Sequence, residues 1–202
     1  MKKFLPNREE LNPAWFERWG ETFGAPHLAI DMMSNDRVFE ASRDRMFESF
    51  GIDLNADLKP EDISSAQAYG LDRDRLCKIS GMVIHGTFLR TRISKSDFQI
   101  ISDVFSLEDL KIAVSLHHLH PQESEFEADM DQIATLIERS GKACIHSWKT
   151  SLDEQAGMRI YLMETNEEQE EEITHTIDTE MARSIVIAVG IAMTNETSSI
   201  AA

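Results

Sequence analysis

A chain of 202 residues with 42% apolar content holds enough material for a packed core, and its length makes one domain the first expectation. A formal charge of -16 repels nucleic-acid phosphates and anionic lipid headgroups, so the partners expected are proteins with basic patches and not nucleic acid. The most lipophilic run, Ile185 to Met193, falls well short of the roughly 18–20 residues needed to cross a bilayer, which argues against direct membrane insertion.

The N-terminal segment has no apolar stretch of signal-peptide length. Residues 1–11 read as a flexible polar arm. Asn12-Pro13 is a helix start, with Asn as cap and Pro at the first helical position, where no amide donor is needed. Trp15, Phe16 and Trp19 follow at once, then Gly20 and Gly24. Three aromatics in one short helix either dock it onto a core or present an exposed anchor. The burial habits of aromatics favour docking, while Trp15 and Trp19 stand as the aromatic candidates for partner binding. The pattern resumes at Leu28–Met33 and again after Ser34-Asn35-Asp36. There Val38, Phe39, Met46, Phe47 and Phe50 define the buried side of a helix that Gly51 closes. Residues 52–70 read as a long connection with one helical turn at most, a length that suggests function or mobility.

The run from Leu71 to Ile93 is the longest helical pattern in the middle of the chain. Leu76, Ile79, Val83, Gly86, Arg90 and Ile93 fall on one face, and Cys77, Gly81, Ile84 and Phe88 form a second apolar line beside it. Lys78, Met82, His85, Leu89 and Arg92 make a mixed stripe open to solvent. A helix this apolar is expected at the centre of a bundle. Each interior glycine costs roughly 1 kcal/mol against alanine, which points to close approach by a neighbouring helix. Ser94-Lys95-Ser96-Asp97 and Ser106-Leu107-Glu108-Asp109 both fit the capping-box pattern, so two short helices follow, ended by Pro121. The next helix is expected from about Ser124 to Leu152, with Gly141 as a place where it bends or breaks. Met158–Met163 reads as a short extended segment. An acidic run then leads into a last helix through Ile173, Ile177, Met181, Ile185, Val186 and Val189. The fold class is therefore all-α: a single compact multi-helix domain over 12–193, at most one short extended segment near 158–163, and a frayed tail at 194–202.

Three groups invite a chemical reading. His117, His118 and His120 resemble part of a metal site, which would make the protein a helical metal-dependent enzyme. They also fall at a helix end, where imidazoles satisfy terminal carbonyls, and no second cluster completes a zinc ligand set. Cys77 and Cys144 lack metal or redox spacing and read as buried thiols of a reducing compartment. The acidic run that includes Glu167, Glu168, Glu170 and Glu171 either complements the positive end of a helix dipole or docks on a basic surface. No nucleophile elbow, phosphate-binding loop or dinucleotide fingerprint is present. The residue reading is thus of a cytoplasmic protein without catalytic machinery, cofactor or metal.

The pattern Gly81-x-Val83-Ile84-His85-Gly86-x-x-Leu89-Arg90, continued by Ser96, Phe98-Gln99, Val104 and Leu107-Glu108-Asp109-Leu110, resembles the SctK (YscK/PscK-like) family of type III secretion proteins. The similarity covers roughly residues 76–118 and is thin around Asn12-Pro13 and 141–163. It implies a non-enzymatic adaptor of the injectisome sorting platform, at the cytoplasmic face of the bacterial inner membrane. Such an adaptor links the forkhead-like cytoplasmic domain of the inner-membrane ring protein to the pod protein, and through it the stator-like linker and the ATPase. Within the pattern, Gly81, Val83, His85, Gly86 and Arg90 read first as structural residues, the glycines for close helix packing and His85 for a hydrogen bond across it. An effector-binding secretion chaperone is the further alternative.

Overall fold

The computed structural model describes residues 4–91, 101, 105–120, 130–164 and 177–200. The fold is all-α, with ten α-helices and no strand among the described residues. By their contacts the residues fall into two compact units, Met1–Leu71 with Leu152–Glu172, and Asp72–Ser151 with Ile173–Ala202.

The first unit holds α1 (Ala14–Glu21), α2 (Pro26–Ser34), α3 (Phe39–Ser49), α4 (Pro60–Leu71) and a later helix, Glu154–Tyr161. Asn12 starts α1 as expected: its Oδ1 accepts the Ala14 amide at 3.0 Å. Leu11, Trp15, Phe16 and Trp19 pack with Ala29, Met33, Met46, Phe47, Ile52 and Leu162 into one core. Gly20 brings α1 onto α2. A Cβ there would stand 2.8 Å from the Ala29 Cβ, inside any real contact distance. Of the expected buried face of α3, Met46 and Phe47 are fully buried, while Val38 lies before the helix and is exposed.

Residues 4–11, expected as a loose arm, are packed. Phe4 and Leu11 are buried, Arg8–Glu10 form a 3-10 turn, and the Phe4 carbonyl accepts from Arg159 Nη1 at 2.8 Å. The long connection also proves more ordered than its sequence suggests, because α4 takes up residues 60–71 in three turns. Its buried positions are Asp62, Ser65, Ala66, Ala68 and Tyr69, small and polar residues that leave little apolar periodicity to read. The extended segment expected at 158–163 is instead the end of the helix Glu154–Tyr161. Asp153 caps it by accepting the Ala156 amide at 2.8 Å, and Ala156, Arg159 and Ile160 are buried at helical spacing. The hydrophobic run there was short enough to fit either period.

The second unit holds α5 (Arg73–Ile84), α6 (Gly86–Thr91), α7 (Leu107–Leu116), α8 (Met130–Thr150) and, after α9 (Glu154–Tyr161) of the first unit, α10 (Thr179–Ile200). Packing of α5 against α7, α8 and α10 buries Leu76, Ile79, Met82 and Val83 completely, as the central-helix reading expected. Two features of that reading change. The helix does not run unbroken to Ile93, because the backbone leaves helical geometry at His85 and restarts at Gly86. The stripe expected to be wet is dry at three of its described positions, Met82, His85 and Leu89, since helices surround α5 on those sides too. Ser106 caps α7 by accepting the Asp109 amide at 3.1 Å, as its pattern predicts. Gly141 does not break α8, which runs through it from Met130 to Thr150. Asp178 caps α10, which continues to Ile200 through the stretch expected to fray.

Candidate functional site

The residues singled out by the Gly-x-Val-Ile-His-Gly pattern converge on two packing nodes of the second unit. The first is the crossing of α5 and α8. A Cβ on Gly81 would stand 2.9 Å from the Ile137 carbonyl carbon and 3.0 Å from the Gly141 amide nitrogen, and nearer still to the Ile137 oxygen. Reciprocally, a Cβ on Gly141 would stand 2.9 Å from the Cys77 carbonyl carbon and 3.0 Å from its Sγ. The order of these pairs, 77 with 141 and 81 with 137, makes the helices antiparallel. Backbone touches backbone here, which only glycine permits, and such approach allows Cα–H···O contacts to replace side-chain packing. Val83 is fully buried on the same helix.

One turn on, His85 is 4% exposed and its Nε2 lies 2.8 Å from the Ser140 hydroxyl of α8. Burial, and secondarily the charge of His120, lowers its pKa from the ordinary 6.5 to about 4, against a backbone hydrogen bond at Leu136 that favours the protonated ring. His85 is therefore a neutral imidazole at physiological pH. It ties α5 to α8 at the point where α5 ends.

The second node holds α6 against the end of α7. A Cβ on Gly86 would lie 2.7 Å from the His117 Cβ, so the break at residues 85–86 lets the chain pass this histidine. The His117 ring has both nitrogens engaged. Its Nδ1–H donates to the Val114 carbonyl at 2.7 Å, because a carbonyl can only accept, and its Nε2 then accepts from Arg90 Nη1 at 2.8 Å. His118 donates likewise to the Ser115 carbonyl at 3.1 Å. These two histidines thus satisfy carbonyls at a helix end, the plainer of the two readings of the cluster. No group of three or more His, Cys, Asp or Glu side chains is placed to hold a metal ion among the described residues.

Ser140 and His117 are polar members of these nodes that the pattern by itself does not reveal. A periodicity count gives a polar residue on an apolar helix face no partner, and both partners lie far along the chain. Beside the nodes, Arg75 Nε donates to Asp109 Oδ1 at 2.7 Å, clamping α5 to α7. Cys144 is buried and Cys77 half-buried, both as thiols. Burial, with the neighbouring Cys77, pushes the Cys144 thiol up, so it does not ionise in the neutral range.

The aromatic candidates for partner binding lie in the first unit. Trp15 and Trp19 are each 6% exposed in its core, Trp15 meeting Phe50 edge to face and Tyr161 at a tilt. They dock α1 and are not exposed anchors. Burying a side chain of that size removes roughly 150–250 Å² of surface from water. Glu167, Glu168, Glu170 and Glu171 lie outside the described residues. No helix among the described residues is long and apolar enough to cross a membrane. Comparison of this chain with family models, with curated proteins and with solved structures finds no match.

Proposed function

We propose that this chain is a non-enzymatic adaptor of the type III secretion injectisome, working in the cytoplasm at the inner-membrane face. In this reading it links the cytoplasmic forkhead-like domain of the inner-membrane ring protein to the pod protein of the sorting platform, and through the pod to the stator-like linker and the ATPase. The observation that carries the reading is the resemblance of residues 76–118 to the SctK family, centred on Gly81, Val83, His85, Gly86 and Arg90. Each of these residues has packing work in the second unit, as scaffold residues of an adaptor would. The strongly acidic surface fits docking onto basic partners, since charge complementarity speeds and orients association.

The test is direct association. The full-length chain is mixed with the purified ring-protein cytoplasmic domain, and separately with the pod protein, and each mixture is sized by chromatography with light scattering. A one-to-one complex with either protein is expected. Elution of both mixtures as unmixed components at tens of micromolar removes the adaptor reading.

A further inference from the structure

The outer face of α8 is basic in a chain that is strongly acidic. Between Gln132 and Thr150 the fixed charges that reach solvent are Glu138 against Arg139, Lys142 and Lys149, with His146 exposed among them. The chain holds 36 acids to 20 Lys and Arg, so an even scatter would put about two acids there for each base. We infer that this face, joined by Lys78 of α5, binds an aspartate- and glutamate-rich segment of a partner protein. The proposal goes beyond the adaptor reading, which draws only on the acidic part of the surface.

The fold assembles the face from two helices. Cys77 meets Gly141 and Gly81 meets Ile137 at the antiparallel crossing of α5 and α8. Lys78 lies roughly 60° round α5 from Gly81, and Lys142 and Lys149 lie roughly 80–100° round α8 from Gly141 in the same rotational sense. In an antiparallel pair, turns of one sense lead to one side, so exposed Lys78 faces solvent beside the α8 row. Backbone meets backbone at this crossing, which holds the two rows at fixed spacing and lowers the ordering cost of binding. From Arg139 to Lys149 the row is roughly 15 Å long, the span of about four or five residues of extended chain.

Glu138 and Asp74 are the acids of this face. Glu138 lies 3.6 Å from Lys142, with 68% and 43% of the two side chains exposed, and so open a pair is weak enough to exchange for a partner's carboxylate. Asp74 stands 4.0 Å from Arg73, and Arg75 is engaged by Asp109 of α7. The negative end of the helix dipole accounts for Lys149 in the last turn of α8. It does not account for Arg139, about three turns earlier, or for Lys78 on another helix.

Charge and side-chain chemistry select the occupant. Lysine predominates here, whereas the planar fork of arginine is what matches phosphate in two-point contact. A long polyanion such as nucleic acid is also repelled by the net charge of -16. A short carboxylate segment meets only the face, since salt screens the more distant acids beyond about 8 Å.

The experiment follows fluorescein-labelled probes by anisotropy with the full-length protein at about 50 mM and about 300 mM salt. The probes are a 12-residue peptide alternating Glu and Ser, its counterpart alternating Gln and Ser, and a 12-residue oligothymidylate. Saturable binding of the Glu peptide is expected, at least fivefold weaker at the higher salt, with no binding of the Gln peptide. The triple variant Arg139→Glu, Lys142→Glu, Lys149→Glu should weaken it at least tenfold. Lys59→Glu on the first unit should leave it within twofold. Circular dichroism melts establish that each variant is folded, and the exposed Arg139→Glu, expected to weaken binding at least threefold, serves if the triple variant is not. Absence of saturable binding, binding unchanged in a folded face variant, or the oligothymidylate bound as tightly as the Glu peptide overturns the proposal. So does binding seen only in the E167Q, E168Q, E170Q, E171Q variant, which would give the face to the chain's own acidic run. No secretion protein is present in these titrations, so their failure leaves the adaptor reading standing. Conversely, absence of the complex in the sizing experiment leaves the basic face standing.

Discussion

Replacing Gly81 or Gly141 with alanine tests the α5–α8 crossing directly. In an ordinary helix the change stabilises by about 1 kcal/mol, because glycine has more backbone entropy to lose. Here the new methyl would overlap a carbonyl of the facing helix, Ile137 for one substitution and Cys77 for the other. The obstacle is backbone, so no side chain can rotate away and the helices must separate. Overpacking costs about 1–3 kcal/mol even where side chains can yield, and a rigid obstacle puts this site at or above the upper end. After subtracting the propensity gain, each variant should lose about 2 kcal/mol or more, which for a chain of this size lowers Tm by roughly 4–8 °C. The double variant should fall short of the sum, since one separation of the helices relieves both overlaps. Gly157→Ala is the internal control. It lies inside α9 with nothing within 4 Å of the new Cβ, and should gain up to about 1 kcal/mol. Urea unfolding followed by circular dichroism measures the four variants against the wild type. If Gly81→Ala is as stable as Gly157→Ala, the helices do not meet at this distance and the account of the pattern fails.

Two further outcomes follow from buried polar groups. His85 has a folded pKa of about 4 against an ordinary 6.5, so the unfolded chain takes up the proton first. Its contribution is therefore complete above pH 6.5, falls as the pH drops towards 4 and levels off below, a total of about 3 kcal/mol. His85→Gln should flatten that acid limb in urea titrations at successive pH values, and an unchanged limb would remove His85 as its source. Arg159 is 1% exposed and donates to the carbonyls of Phe4 and Asp53. Arg159→Met keeps the stem but leaves both acceptors without this donor, at a cost of about 2 kcal/mol. Faster cleavage near residues 4–11 in limited proteolysis should accompany the loss, and an N-terminus cut at the wild-type rate would show that Arg159 does not hold it.

The sequence is enough to read the helical class, the positions of most helices and several of their caps. Asn12, Ser106 and the apolar spacing of α5, α7 and α8 act within a turn or two of chain, and local physics reads them directly. It also pointed to close helix approach at Gly81, because an interior glycine carries a cost that packing must offset. Features that depend on distant partners emerge only once the chain is packed. The choice of helix over strand at 158–161 rests on Asp153 and on the burial of Arg159. The break at His85-Gly86 answers to His117, some thirty residues further along the chain. The dryness of Met82, His85 and Leu89 follows from how many helices surround α5, a number that periodicity along one helix does not contain. In α4, small and polar residues fill the buried face, so the chain spells a loop where packing makes a helix. Trp15 and Trp19 look the same in sequence whether they bind a partner or a core. Their burial was fixed by α2 and α3 closing over α1, a contact between segments that no local window spans.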